Sequence, residues 1–183
     1  MNVKPLALAL SMSLAGVAVV GCASFPTSEN QKENLEDNGQ VALKKMQRMD
    51  PGLRDRLDRA AGYAIFPDAS SAGFIVGGKS GVGEVYEKGT LIGYAKIEEG
   101  NIGLQVGGKT FNELVIFEDQ ATLDRFKQGR WAPSANASAV VLRTGTGVSA
   151  APFKDGVLIV VDVEGGAMAE ASVGAQKFSY RAK

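Results

Sequence analysis

The feature that most constrains this chain is a glycine-punctuated repeat. Residues 73–80 read GFIVGGKS and residues 103–110 read GLQVGGKT. A fainter third copy, ASVGAQKF at 171–178, aligns with LQVGGKTF at 104–111. Both strong copies satisfy G-x-x-x-x-G-K-[ST], the spacing of a phosphate loop, and Leu158–Asp162 (LIVVD) resembles the apolar strand whose aspartate holds magnesium beside such a loop. The surrounding residues argue against nucleotide chemistry. A phosphate loop must open a helix, because the helix N-terminus supplies the amides and the dipole. Lys79 is followed by SGVGEVY, with glycine at alternate positions, and Lys109 by TFNELVIF; neither opens a helix. Phe74, Ile75 and Val76 are strand formers where an exposed loop would be needed. The repeat therefore predicts two similar strands of one sheet, with Lys79 and Lys109 at equivalent strand ends on one rim. No nucleotide partner is expected.

The rest of the chain supports a sheet preceded by helices. Ser28-x-x-Gln31 is a capping box. It opens a predicted helix over 29–49, with Leu35, Ala42, Leu43, Met46 and Met49 on one stripe and Gly39 as a weak spot. Acidic residues crowd its first half and Lys44, Lys45 and Arg48 its second, which suits the helix dipole. Asp50-Pro51 caps a second helix over 51–61 carrying Leu53, Leu57 and Ala61. From Tyr63 short apolar runs alternate with turn signals at Glu87-Lys88-Gly89 and Glu98-Glu99-Gly100-Asn101. Glycine at this density inside strands marks bulges, sharp curvature or close backbone approach. Asp119 caps a short helix over 120–128, with Leu123 and Phe126 inward and Gly129 as its stop. Residues 131–153 carry one charge, Arg143, and read as a buried strand pair, a small-residue packing layer or a surface facing lipid. Asp155-Gly156 is a turn before the apolar strand Val157–Val161, and a last strand ends near Tyr180. The expected fold class is α+β: N-terminal helices, then a curved, Gly-rich antiparallel sheet or partial barrel with one short helix inserted.

Composition narrows the chemistry. The chain has 20 basic residues, 20 acidic residues, one cysteine and no histidine. A balanced charge lacks the basic footprint of a nucleic-acid binder. Without histidine there is no Ser-His-Asp triad and no imidazole metal ligand. One cysteine forms no internal disulfide. An enzyme would need a Ser-Lys or carboxylate pair, and the adjacent acids Glu98-Glu99 and Glu118-Asp119 fall at predicted turns or caps. No calcium-loop spacing is present. No catalytic activity, cofactor or metal is expected.

The first residues read as an address. Lys4 begins a short positive region, and residues 6–20 (LALALSMSLAGVAVV) form an uncharged apolar run suited to a signal peptide. Val19-Val20-Gly21-Cys22 fits a bacterial lipobox, so Cys22 is the expected site of diacylglyceryl and N-acyl modification. Ala23 in place of an aspartate favours the periplasmic face of the outer membrane. The expected organisation is a leader at 1–21, a lipidated tether at 22–30 and one domain at 31–183.

The order of motifs resembles the SYLF lipid-binding domain family. The stretch AAGYAIFPDASSAGFIVGGKSGVGEVYEKGTLIGYAKI at 60–97 carries the resemblance, with Ala64–Pro67, Gly73-Phe74, Gly77-Gly78 and Gly81-Val82-Gly83. The continuation at 101–131 adds Gly103–Gly108, Val115-Ile116-Phe117 and Trp131, and the close adds Ser172, Gly174 and Tyr180. The resemblance covers nearly all of the chain after the leader. It implies phospholipid binding without catalysis. Candidate headgroup contacts are Lys79, Lys109, Arg125, Lys127, Arg130 and Trp131, with Lys96 and Lys177 as weaker ones. Two readings are carried forward. In one, the domain itself binds anionic phospholipid. In the other, the protein is a structural or interaction component of the envelope, with the acyl anchor as its only lipid contact.

Overall fold

Helices come first and strands after. The computed structural model describes residues 24–72, 76–102, 109–129, 138–141, 147–163 and 176–183. The leader, Cys22, Arg130 and Trp131 lie outside the described residues. The elements in chain order are α1 (Glu29–Met49), α2 (Gly52–Arg59), β1 (Gly62–Ala72), β2 (Val76–Glu87), β3 (Thr90–Ile102) and β4 (Lys109–Phe117). They are followed by α3 (Gln120–Lys127), β5 (Ser138–Val141), a 3-10 turn (Val148–Ala150), β6 (Val157–Val163) and β7 (Gln176–Ala182). The strands form one sheet in the order β5-β6-β4-β1-β2-β3-β7, open between its two edge strands among the described residues.

The local signals account for most boundaries. The Ser28 side chain accepts the Gln31 amide, and Gln31 returns the contact to the Ser28 amide, closing the capping box. Asp119 accepts the Thr122 amide at 2.8 Å, and Gly129 ends α3 with φ +89°. Lys88-Gly89 and Asp155-Gly156 take left-handed conformations at their turns. Asp50 accepts the Gly52 amide at 3.0 Å at the start of α2, although that helix is shorter than expected and stops at Arg59. Its second oxygen accepts the Val148 amide at 2.7 Å, so one carboxylate ties the helix corner to the 3-10 turn.

Two expectations are corrected. Glu98-Glu99-Gly100-Asn101 is not a turn. It continues β3, where Lys79, Gly78 and Gly77 of β2 pair with Glu99, Gly100 and Asn101. The ladder supplied by the neighbouring strand outweighs the local turn composition. The sheet is also not wholly antiparallel. β5 pairs parallel with β6, because the chain between them passes the 3-10 turn on the helix-covered side and re-enters from the same end.

The sheet curls because of where its small residues fall. Alternation along β2 puts Gly81, Gly83 and Val85 on one face and Val82, Glu84 and Tyr86 on the other. A side chain at Gly83 would strike the Ile65 carbonyl and the Phe66 ring, and one at Gly93 would meet the Tyr180 ring at 2.6 Å. Aromatic rings thus occupy the space that the glycines leave. Phe66 of β1 meets Phe178 of β7 at 5.6 Å between centroids, although two strands lie between β1 and β7. A flat sheet would hold those strands about 14 Å apart. The concave face is therefore closed over a core of Phe66, Phe111, Phe117, Phe126 and Phe178 with Val115, Ile159 and Ile97. The outer face is covered by α1 and α2 through Ala42, Met46 and Leu53 on Ile65, Leu114, Ile116, Leu158 and Val160. Each fully buried Leu, Ile or Met contributes about 1.5–3 kcal/mol.

Candidate functional site

The internal repeat has a structural counterpart. β2 and β4 flank β1 on its two sides, and both pair with it antiparallel. Ser71 is in register with Lys79 on one side and Lys109 on the other, and Ser70 with Ser80 and Thr110. The ends of the two strong copies, Lys79-Ser80 and Lys109-Thr110, thus straddle one strand in identical register. The row continues outward, since Lys79 pairs with Glu99 of β3 and Glu99 with Gln176 of β7. In the alignment of the faint third copy, Gln176 occupies the place of Lys109. All three copies therefore place the same repeat position in one transverse row: Lys109, Ser71, Lys79, Glu99, Gln176.

This row borders the concave core. The next inward-facing row, two residues along each strand, contains Phe111, Ala69, Gly81, Ile97 and Phe178, and it belongs to that core. Gln176, which ends the polar row, is fully buried and donates to Glu113 Oε2 at 3.2 Å across the curl. Glu113 is itself fully buried on β4. The rim thus has an apolar interior on one side and polar register positions on the other. Lys79 and Lys109 share a register beside Ser71 and neither opens a helix, but only Lys109 stands at a strand end; Lys79 is the fourth residue of β2.

The other basic candidates separate from this row. Arg125 is exposed on α3 and donates to Thr122 Oγ1 at 3.0 Å and to the Asp155 carbonyl at 3.3 Å. Lys127 lies between Asp124 at 2.8 Å and Glu87 at 3.2 Å. The hydrogen bond that it donates to Asp124, supported by Glu87, holds its ammonium above the usual lysine range. Both cations are held by groups of the domain. Lys45 is likewise engaged, 2.8 Å from Asp162. Asp162 is the aspartate of the nucleotide-like strand motif, and it also accepts from Asn112 Nδ2 at 3.0 Å. Asn112 Oδ1 in turn accepts the amide of Asp68, which holds φ +50° where β1 bulges after Pro67. One polar chain thus fixes the bulge to α1.

Sequence reasoning missed a buried carboxylate. Glu84 of β2 lies under α1, fully buried, and accepts from the Tyr86 hydroxyl at 3.1 Å. Its other oxygen has no hydrogen-bond partner among the described residues. Burial pushes the carboxyl up to about 7, opposed by the Tyr86 hydroxyl and reinforced by the nearby Glu36. Burial also raises the Tyr86 phenol and pushes that of Tyr63, stacked on it at 5.0 Å, up to about 12. Gly39 makes room for this group: a Cβ there would stand 2.8 Å from Glu84 Oε2. The glycine in mid-helix was the available signal. It is a packing requirement, not a weak spot.

The arrangement defines a class of domain: N-terminal helices on the outer face of a curled, open, glycine-rich sheet whose concave side is an aromatic core. No known family profile matches the sequence. The chain is similar to Beta cell expansion factor A of Aeromonas veronii, with 22% identity over 153 residues. The match covers 83% of this chain and 58% of that protein, so the chain spans a little over half the length of this relative.

Proposed function

We propose that this protein is a bacterial lipoprotein, anchored through Cys22 at the periplasmic face of the outer membrane, whose SYLF-like domain binds anionic phospholipid. The role is non-catalytic. The observation that carries the reading is the rim row in which Lys109 and Lys79 are in register on either side of Ser71. Positions two strands apart are about 10 Å from one another. At that spacing two lysines can serve one headgroup phosphate, and the serine between them is a further donor. Glu99, next in the row, leaves it with a net positive charge. The motif resemblance supports the same ligand class.

Vesicle flotation of residues 24–183, which lack the anchor, tests this reading. Flotation with anionic but not neutral vesicles is expected, weakening with salt. The double reversal K79E/K109E is expected to weaken it by about tenfold or more. Absence of flotation with either vesicle overturns domain binding. The protein would then be an envelope structural or interaction component with Cys22 as its sole lipid contact.

A further inference from the structure

The segment before α1 is held against the sheet edge. The Phe25 ring lies between two cations, with the Arg181 guanidinium 4.4 Å and the Lys96 ammonium 5.2 Å from its centroid. Such contacts are a recognised source of attraction between a cation and a ring face. Arg181 belongs to β7, the edge strand, and Lys96 to the adjacent β3. Phe178 of β7 points into the concave core, so alternation places Lys177, Ser179 and Arg181 on the outer face. Lys177 and Arg181 are exposed, as is Lys183 beyond the strand. Three acids face this stripe, one of them the buried Glu84, which interacts electrostatically with Lys183. Glu98 pairs with Lys96 at 3.4 Å and is in register with Lys177, while Glu29 is taken by Lys32 at 2.7 Å. The balance of the patch is positive.

Geometry connects the patch to the anchor. Cys22 precedes Phe25 by three residues, and an extended chain spans at most about 3.6 Å per residue. The backbone of a lipidated Cys22 therefore lies within about 11 Å of that of Phe25. While Phe25 keeps its place, the β7 edge must lie near the bilayer surface. α1 leads away from this edge, since Lys45 near its far end meets Asp162 of β6.

We propose that the outer face of β7, with Lys177, Arg181, Lys183 and the neighbouring Lys96, is the surface that the domain lays on an anionic bilayer, and that Phe25 fixes the lipidated N-terminus to it. This inference rests on the lipoprotein reading above, but it concerns a different surface from the rim row. It makes the orientation of the anchored domain a property of the fold. The acyl chains enter the membrane beside β7, and β6 faces away.

The test uses the full lipidated chain in phosphatidylglycerol–phosphatidylethanolamine vesicles, with an amine-acylating reagent read out by mass spectrometry. Lys177 and Lys183 are expected to label about fivefold more slowly than in phosphatidylcholine vesicles. Lys44 and Lys154, exposed on α1 and beside β6, are expected to label equally in both. The triple reversal K177E/R181E/K183E is expected to restore fast labelling of Lys96. Equal labelling of every face on a lipidated chain, or selective protection of Lys44 and Lys154, overturns the inference alone. An intact mass with unmodified Cys22 overturns the lipoprotein reading and the inference with it.

Discussion

The two faces of the sheet are built on different physical terms. The concave face is mainly an aromatic core: Phe126 meets Phe117 at 4.8 Å, Phe178 at 5.8 Å and Tyr180 at 6.2 Å between centroids. Glycines on the strands beneath it allow that approach. The outer face mixes apolar contacts with buried polar groups, including Glu84, Asn112 and Asp162. The concave face gains most of its stability from aromatic and aliphatic contact area, although it also buries the Gln176–Glu113 pair. The outer face holds its helix partly through groups whose charge can change.

The largest expected effect tests the concave face. Phe126→Ala removes a ring that is 1% exposed, and it is expected to cost about 3–5 kcal/mol in urea unfolding. A cost under about 2 kcal/mol would mean that the curl relaxes easily and that the two faces are alike.

The next tests the outer face. Burial raises the Glu84 carboxyl from the ordinary 4.5 to about 7, so the folded chain holds a proton that the unfolded chain releases. Its contribution is fully present below about pH 4.5 and is lost as pH rises through about 7. The loss is on the order of 3 kcal/mol. Glu84→Gln keeps an acceptor for Tyr86 and cannot ionise. Above pH 7 the variant is expected to be more stable than the parent, and its stability flatter between pH 5 and 8. Parallel pH profiles for the two chains would remove Glu84 from the account.

The smallest effect sharpens the comparison. Lys45→Met keeps the apolar stem but removes the cation facing Asp162, and is expected to cost about 1–2 kcal/mol. Hydrogen exchange should locate the loss in α1 and at the Asp68 bulge, leaving β3 and β7 unchanged. Uniform loss across the sheet would show that the polar chain supports both faces.

Much of the fold was legible because its signals are local. The Ser28–Gln31 box, the Asp119 cap with its Gly129 stop, and the Lys88-Gly89 and Asp155-Gly156 turns each act within a few residues. The apolar run at 157–161 needed only its composition. Glu98–Asn101 was misread because its turn-like residues are held straight by the glycines of β2, which are distant in sequence. Of the candidate site, the equivalence of Lys79 and Lys109 was legible from the repeat. The engagement of Lys127 by Glu87 was not, because those residues lie forty positions apart.

By itself the sequence determined the α+β order, the caps, the turns and the repeat, since each depends on residues near one another along the chain. It also set the alternation that gathers Gly81 and Gly83 on one face. Only the tertiary structure decided that Glu84 lies under a helix instead of in water. Strand alternation shows which face a residue occupies, but not what covers that face. The same holds for the single row of repeat positions and for the clasp of Phe25 by Arg181. Register and long-range contact are set by the packing of whole elements, and no local window of sequence contains them.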